Sequence, residues 1–209
     1  KSKSGKIDEF FGDVDGFKRC FKEQKKNYKY EYEYSDFCKG FLKPENIEKY
    51  SKKFSTVLNC IQNSNGIIFV HIPYVAEATV FSMMLEELGY NRHGSSFIKG
   101  MRNFLNTGVS ANGSEYLLLT GETSKRLLNT GIINLNRESN INGEQIKVVI
   151  ATDVAKEGLN FFNVREIHIL SPWYHLNRLE QIIGRGMRNC SHKNLKPERR
   201  NVTIYYHTA

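Results

Sequence analysis

Arg185 and Arg188 stand three residues apart near the end of the run Q-I-I-G-R-G-M-R, which Gln181 opens. Residues 176–188 read as one helix, and positions i and i+3 share a helix face. Two guanidinium groups on one face can grip a single anion, each bidentately and each charged at any working pH. The chemistry that suits such a pair is the γ-phosphate of a nucleotide, where an arginine finger stabilises the charge developing during hydrolysis. Gly184, just before the pair, lets backbone approach closely. The plain alternative is a solvated basic helix end, which the macrodipole favours.

The elements that must position these arginines lie just upstream. Residues 147–150 form a β-branched run that opens into A-T-D-V-A-K-E-G-L-N, residues 151–160. Residues 166–170 make a second apolar strand, followed by Ser171, Pro172, Trp173 and Tyr174 and then the arginine helix. The order strand, polar loop, strand, loop, helix predicts a parallel α/β sheet. In such sheets ligands sit outside the carboxyl ends of the strands, where the loops beginning near Thr152 and Ser171 both fall.

Those two runs carry a family resemblance. A-T-D-V-A-K-E-G-L-N resembles motif V of superfamily 2 helicases and translocases, and Q-I-I-G-R-G-M-R resembles motif VI. The stretch through Asn189, Cys190, Ser191 and His192 to Pro197-Glu198-Arg199-Arg200 is similar to the helicase-type ATPases of nucleo-cytoplasmic large DNA viruses. That group includes the poxvirus nucleoside triphosphate phosphohydrolase I and the early transcription factor large subunit. The resemblance implies an α/β, RecA-like second lobe, a mainly parallel central sheet flanked by helices. It spans residues 41–209, with residues 1–40 as an N-terminal appendage or inter-lobe segment.

The resemblance also distributes roles. It makes Arg188 the arginine finger and Arg185 a second γ-phosphate contact. Gln181, Gly184, Gly158 and Asn160 lie along the nucleotide or at the lobe interface. Thr152, Thr120 and Gly121 occupy positions where relatives touch the nucleic-acid backbone, contacts that position a strand without reading its sequence. Asn160 and Glu157 differ from the Asp and Arg of DEAD-box proteins and argue against that branch. The expected cofactors are ATP and Mg²⁺, held mainly by another lobe. The expected partners are a DNA or RNA backbone, a first RecA-like lobe and viral RNA polymerase, in the virion and host cytoplasm. A non-catalytic docking module is the rival from another class.

Absent motifs sharpen the expectation. No G-x-x-x-x-G-K-[ST] phosphate loop and no D-E-x-[DH] carboxylate cluster for Mg²⁺ occurs. A chain without a phosphate loop is not expected to hydrolyse ATP alone. Of its 209 residues 40% are hydrophobic, enough for one domain and an appendage. No apolar run approaches the length of a membrane span, and no signal peptide is visible. The formal net charge of +8 fits an anionic partner. Cys20, Cys38, Cys60 and Cys190 lack C-x-x-C spacing; free thiols in a reducing compartment are expected, and no metal site.

Elsewhere the pattern predicts one helix over residues 45–63 after Pro44, a strand at 67–72 and a helix at 76–88. It continues with a strand at 116–119, a helix capped by Thr123 or Ser124 through about residue 136, and a last strand at 202–206. Tyr28, Tyr30, Tyr32 and Tyr34 alternate with charged residues, the period of a packed strand or hairpin or of a base-stacking platform. Trp173 and Tyr174 either stack on a base or fill the space between sheet and helix.

Overall fold

The computed structural model describes residues 20–26, 29–34, 38, 40–94, 114–153, 158–172 and 175–208. Its strands are β1 (Phe21–Lys26), β2 (Lys29–Tyr34), β3 (Ile67–His71), β4 (Asn91–Arg92), β5 (Glu115–Leu119), β6 (Ile146–Ala151), β7 (Val164–Leu170) and β8 (Thr203–His207). Its α-helices are α1 (Pro44–Tyr50), α2 (Lys52–Asn63), α3 (Val75–Glu87), α4 (Lys125–Leu135) and α5 (Leu176–Gly186).

Strands β3 to β8 form one sheet in the order β4-β5-β6-β3-β7-β8, and every pairing in it is parallel. Parallel sheets need both faces covered, so their strands are apolar throughout. β3 shows this directly: all five residues of I-I-F-V-H are buried. Successive side chains alternate between the faces. Ile68 and Val70 join the core beneath α1, α2 and α3, while Ile67 and Phe69 join the core beneath α4 and α5. The result is the helix–sheet–helix sandwich expected of a RecA-like lobe.

The predicted helix over 45–63 is two helices. Ser51 has extended backbone (φ −151°, ψ 101°), and its hydroxyl accepts the Phe54 N–H at 3.2 Å. It therefore ends α1 and caps α2, a substitute hydrogen bond that serine offers the backbone. Ser124 caps α4 in the same way, accepting from the Leu127 N–H.

The N-terminal residues carry a correction. Cys20 and Cys38 are joined in a disulfide, not free, and only Cys60 and Cys190 remain thiols. The bond closes the antiparallel hairpin β1–β2 against the following turn. Cys20, Phe21 and Cys38 are buried in the same core as Phe41, Ile47 and Leu58. Tyr28, Trp173, Tyr174 and Glu157, and the tyrosine side chains of β2, lie outside what the structure describes.

Asn140 holds the turn between α4 and β6. It is fully buried, and its Nδ2 donates to the carbonyls of Leu135 (2.9 Å) and Ile146 (3.1 Å). Its Oδ1 accepts from the N–H groups of Gln145 (2.8 Å) and Ile146 (2.9 Å). One amide thus satisfies backbone groups that would otherwise be buried without partners. Asn140→Ala is expected to cost on the order of 3 kcal/mol, because the freed groups keep their desolvation penalty. Urea denaturation of the two proteins measures it.

Candidate functional site

The carboxyl ends of the sheet open into a cleft of about 770 Å³ between β3, the loop after β6 and helix α5. His71 ends β3 and Asp153 follows β6, while Arg178, Gln181 and Arg185 come from α5. The three α5 residues recur at i, i+3 and i+7, so one helix face presents them together. The adjoining face is apolar: Leu179, Ile182 and Ile183 pack on the sheet core, with Ile182 also bordering the cleft. That amphipathic division is what aims the polar face into the cleft.

A charged relay crosses the cleft floor. Nε2 of His71 donates to Oδ1 of Asp153 at 3.0 Å, and Arg178 forms an ion pair with Oδ2 of the same carboxylate. Burial pushes the His71 imidazole below its ordinary pKa; Asp153 opposes the shift, and the Arg185 and Arg178 charges reinforce it. A ring donating through Nε2 leaves Nδ1 as an acceptor, and Nδ1 is buried with no partner among the described residues.

The pH consequence has a definite sign. A histidine whose folded pKa is depressed binds fewer protons folded than unfolded. Its contribution to stability is complete above the ordinary value of about 6.5 and is lost as pH falls through that value toward the folded one. The slope reaches at most about 1.4 kcal/mol per pH unit for one group. Thermal denaturation from pH 7.5 to 5.5 is expected to show falling Tm, with a shallower fall in His71→Gln.

The structure moves one premise of the sequence reading. Helix α5 ends at Gly186 and not at residue 188. Gly184 and Gly186 are poor helix formers flanking Arg185, and a helix ends readily at such a place. Arg188 therefore does not continue the helical face of Arg185. Its Nε donates back to the Gly184 carbonyl at 3.0 Å, and its N–H donates to Ser191 Oγ. Gln181 and Arg185 line the cleft together, and Arg188 and Gly184 are not among the residues lining it.

The remaining expected residues fall around this floor. Gly158 has φ +90°, a conformation that favours glycine, and a Cβ there would meet nothing within 4 Å. The Asn160 carbonyl accepts from Nδ2 of Asn136 at 3.1 Å, and its own Oδ1 is buried without a partner among the described residues. Next to it the Phe161 N–H donates to the Arg185 carbonyl at 2.9 Å, which ties the loop to the end of α5. A Cβ on Gly184 would also meet nothing within 4 Å.

Thr120 and Thr152 lie at the ends of neighbouring strands, with the Thr152 N–H donating to the Leu119 carbonyl at 3.0 Å. The Thr120 hydroxyl accepts from the Glu122 N–H, and Gly121 is exposed beside it. Thr152 is 1% exposed, so its hydroxyl is not on the surface of this chain. His192 ties the segment after α5 to the sheet. Its Nε2 donates to the Val164 carbonyl at 2.6 Å, and Nδ1 accepts from Ser191 Oγ at 2.8 Å.

His71, Asp153 and Arg178 were not among the expected site residues. Asp153 sits inside the motif that pointed to the site, and Arg178 shares the helical register of Gln181 and Arg185. Both signals were present in the residue order. His71 carried none, since only the sheet order brings β3 beside β6.

A parallel six-stranded sheet with a cationic helix face over its carboxyl edge is the α/β architecture of a RecA-like helicase C-terminal lobe. The helicase conserved C-terminal domain family matches residues 52–190, and the chain belongs to that family. A candidate ATP-dependent RNA helicase of Acanthamoeba polyphaga mimivirus, R563, is 30% identical over 166 residues, covering 78% of this chain and 26% of the relative. The killer plasmid pGKL-2 helicase of Kluyveromyces lactis, itself uncharacterized, is 25% identical over 78% of this chain and 25% of its own length. The early transcription factor large subunit homolog of African swine fever virus is 27% identical over 77% of this chain and 16% of its own length. The chain thus spans about a quarter or less of the length of these relatives.

Proposed function

We propose that this chain is the second RecA-like lobe of an ATP-dependent nucleic-acid translocase of viral transcription. One observation carries the reading: Arg185 and Gln181 line one cleft at the carboxyl edge of a parallel sheet, beside Arg178. The donor set suits phosphate oxygens, since guanidinium forks bind them bidentately. It suits Mg²⁺ less, because among the described residues the one carboxylate lining the cleft, Asp153, is already shared by His71 and Arg178. ATP, with its metal, would therefore be held chiefly by a facing lobe and would supply the γ-phosphate whose cleavage drives the cycle.

In this reading Arg185 meets the γ-phosphate edge, and Gln181 orients the nucleotide or the facing lobe. Arg188 joins as the finger on closure, after release from the Gly184 carbonyl. Closure ordered by γ-phosphate contacts is a recognised switching device. Thr120 and Gly121, with Thr152 at the neighbouring strand end, meet the nucleic-acid backbone, and alternating grip there moves the protein along a strand. Viral RNA polymerase is the proposed partner, in the virion and the host cytoplasm; the African swine fever virus relative, named for a transcription factor, supports that setting.

An RNA-directed motor is the second reading, favoured by the mimivirus relative named as an RNA helicase. ATP turnover by the polypeptide carrying both lobes, measured with single-stranded DNA and with RNA of equal length, separates the two. Stimulation by DNA alone supports the first reading and by RNA alone the second. Turnover indifferent to both would leave the cleft as a docking surface.

A further inference from the structure

We propose that Cys60, Glu166 and His168 form a binding site for a zinc-type divalent metal ion, clasping helix α2 to strand β7. The ligand atoms of these three residues lie within 4.8 Å of one another. Nε2 of His168 is 3.2 Å from Oε2 of Glu166. With metal–sulfur and metal–nitrogen bonds of about 2.3 and 2.0–2.1 Å, ligand atoms around a tetrahedral ion stand roughly 3.3–3.8 Å apart. The cluster needs only small side-chain shifts to reach that spacing. Thiolate, imidazole and carboxylate together are a zinc donor set and not a Mg²⁺ or Ca²⁺ set, which would be all oxygen.

The surroundings of His168 carry the inference beyond proximity. The His168 side chain is fully buried, and the Tyr205 ring is stacked on it with centroids 4.6 Å apart, so its plane is set. Its second nitrogen, Nδ1, is 2.9 Å from Nε2 of His207. Metal-binding histidines nearly always engage their other ring nitrogen in a hydrogen bond that fixes tautomer and orientation. With the metal on Nε2, the His168 ring keeps its proton on Nδ1 and donates it to His207. The Cys60 thiol gives up its proton to solvent on binding. Cys60 is a free thiol and half-buried, and the Glu166 side chain is 18% exposed, so the ion can enter from that side.

Three protein ligands leave a fourth position for solvent. The site joins residues 60 and 166 across the fold and lies apart from the cleft residues, so it does not depend on the nucleotide reading.

Cobalt(II) added in equimolar amount to the full chain tests this. The expected result is an intense sulfur-to-cobalt charge-transfer band with tetrahedral visible absorption. Zn²⁺ should abolish both. The band should vanish in Cys60→Ser and persist in Cys190→Ser, whose thiol is exposed and outside the cluster. Glu166→Gln keeps the side-chain shape and should weaken Zn²⁺ binding while circular dichroism stays unchanged. His207→Ala should weaken it by about 10–100-fold, the usual cost of losing an outer hydrogen-bond partner. Absence of the band in the unaltered chain, or its survival in Cys60→Ser, would overturn the site.

Discussion

Arg185→Ala, placed in the polypeptide that carries both lobes, is expected to lower nucleic-acid-stimulated ATP hydrolysis by about 10³-fold or more. The size follows from where the charge acts. An arginine aimed at a transferring phosphoryl group works in a water-excluded cleft and strengthens in the transition state, so kcat falls and KM changes little. Arg185 is half-buried on the face of α5 that also carries Gln181, and its backbone carbonyl is already committed to Phe161. Its side chain is therefore aimed by an anchored helix end. Arg188→Ala is expected to match that loss if, as proposed, closure brings its guanidinium in from the Gly184 carbonyl. Pre-steady-state measurement of both variants is the check. Retention of more than about a tenth of the hydrolysis rate in both would remove the arginines from the chemistry and leave them as a docking face.

Phe161→Ala should produce the largest loss of stability, about 3–5 kcal/mol. Its ring is completely buried and meets Phe69 edge to face, with centroids 5.0 Å apart. Truncation removes apolar contact and leaves a cavity between the sheet and α5 that the neighbouring strands cannot close. The same residue's N–H binds the Arg185 carbonyl, so the loss is expected to reach the cleft as well. Guanidinium denaturation gives the first quantity. Hydrolysis at low temperature, where the variant is still folded, gives the second, and Phe161→Leu should recover most of both. A variant as stable as the unaltered chain would show that this core is not the anchor of α5.

Much of the sheet was legible because parallel strands buried on both faces must be apolar runs. I-I-F-V-H-I, Y-L-L-L, K-V-V-I and E-I-H-I-L all announced themselves; the structure ends the first one residue sooner, at His71, and extends the other three by a residue or two. The break at Ser51 was hidden. Apolar spacing runs through it almost undisturbed, and one hydroxyl accepting from Phe54 decides the matter. Cys20 and Cys38, 18 positions apart, follow no spacing rule that would pair them. In the cleft, Gln181 and Arg185 could be read from one helix. His71 needed the knowledge that β3 lies between β6 and β7. The same holds for Cys60 beside Glu166 and His168: contacts made by strand order leave no mark on local sequence.

The central place of β3 also bears on how the chain folds as it is made. Val70 pairs with Ile150 on one side and with His168 on the other, both long after it in the chain. A ribosome adding about 5–20 residues per second would leave this apolar strand without either neighbour for roughly 4–16 seconds. Parallel pairings over such distances form late because loop closure must be completed before contacts reward it. Residues 67–71 are thus the segment most in need of protection during synthesis. A chaperone that recognises short apolar stretches is expected to cross-link there on stalled chains ending before residue 150, and to lose that contact once residue 170 has emerged.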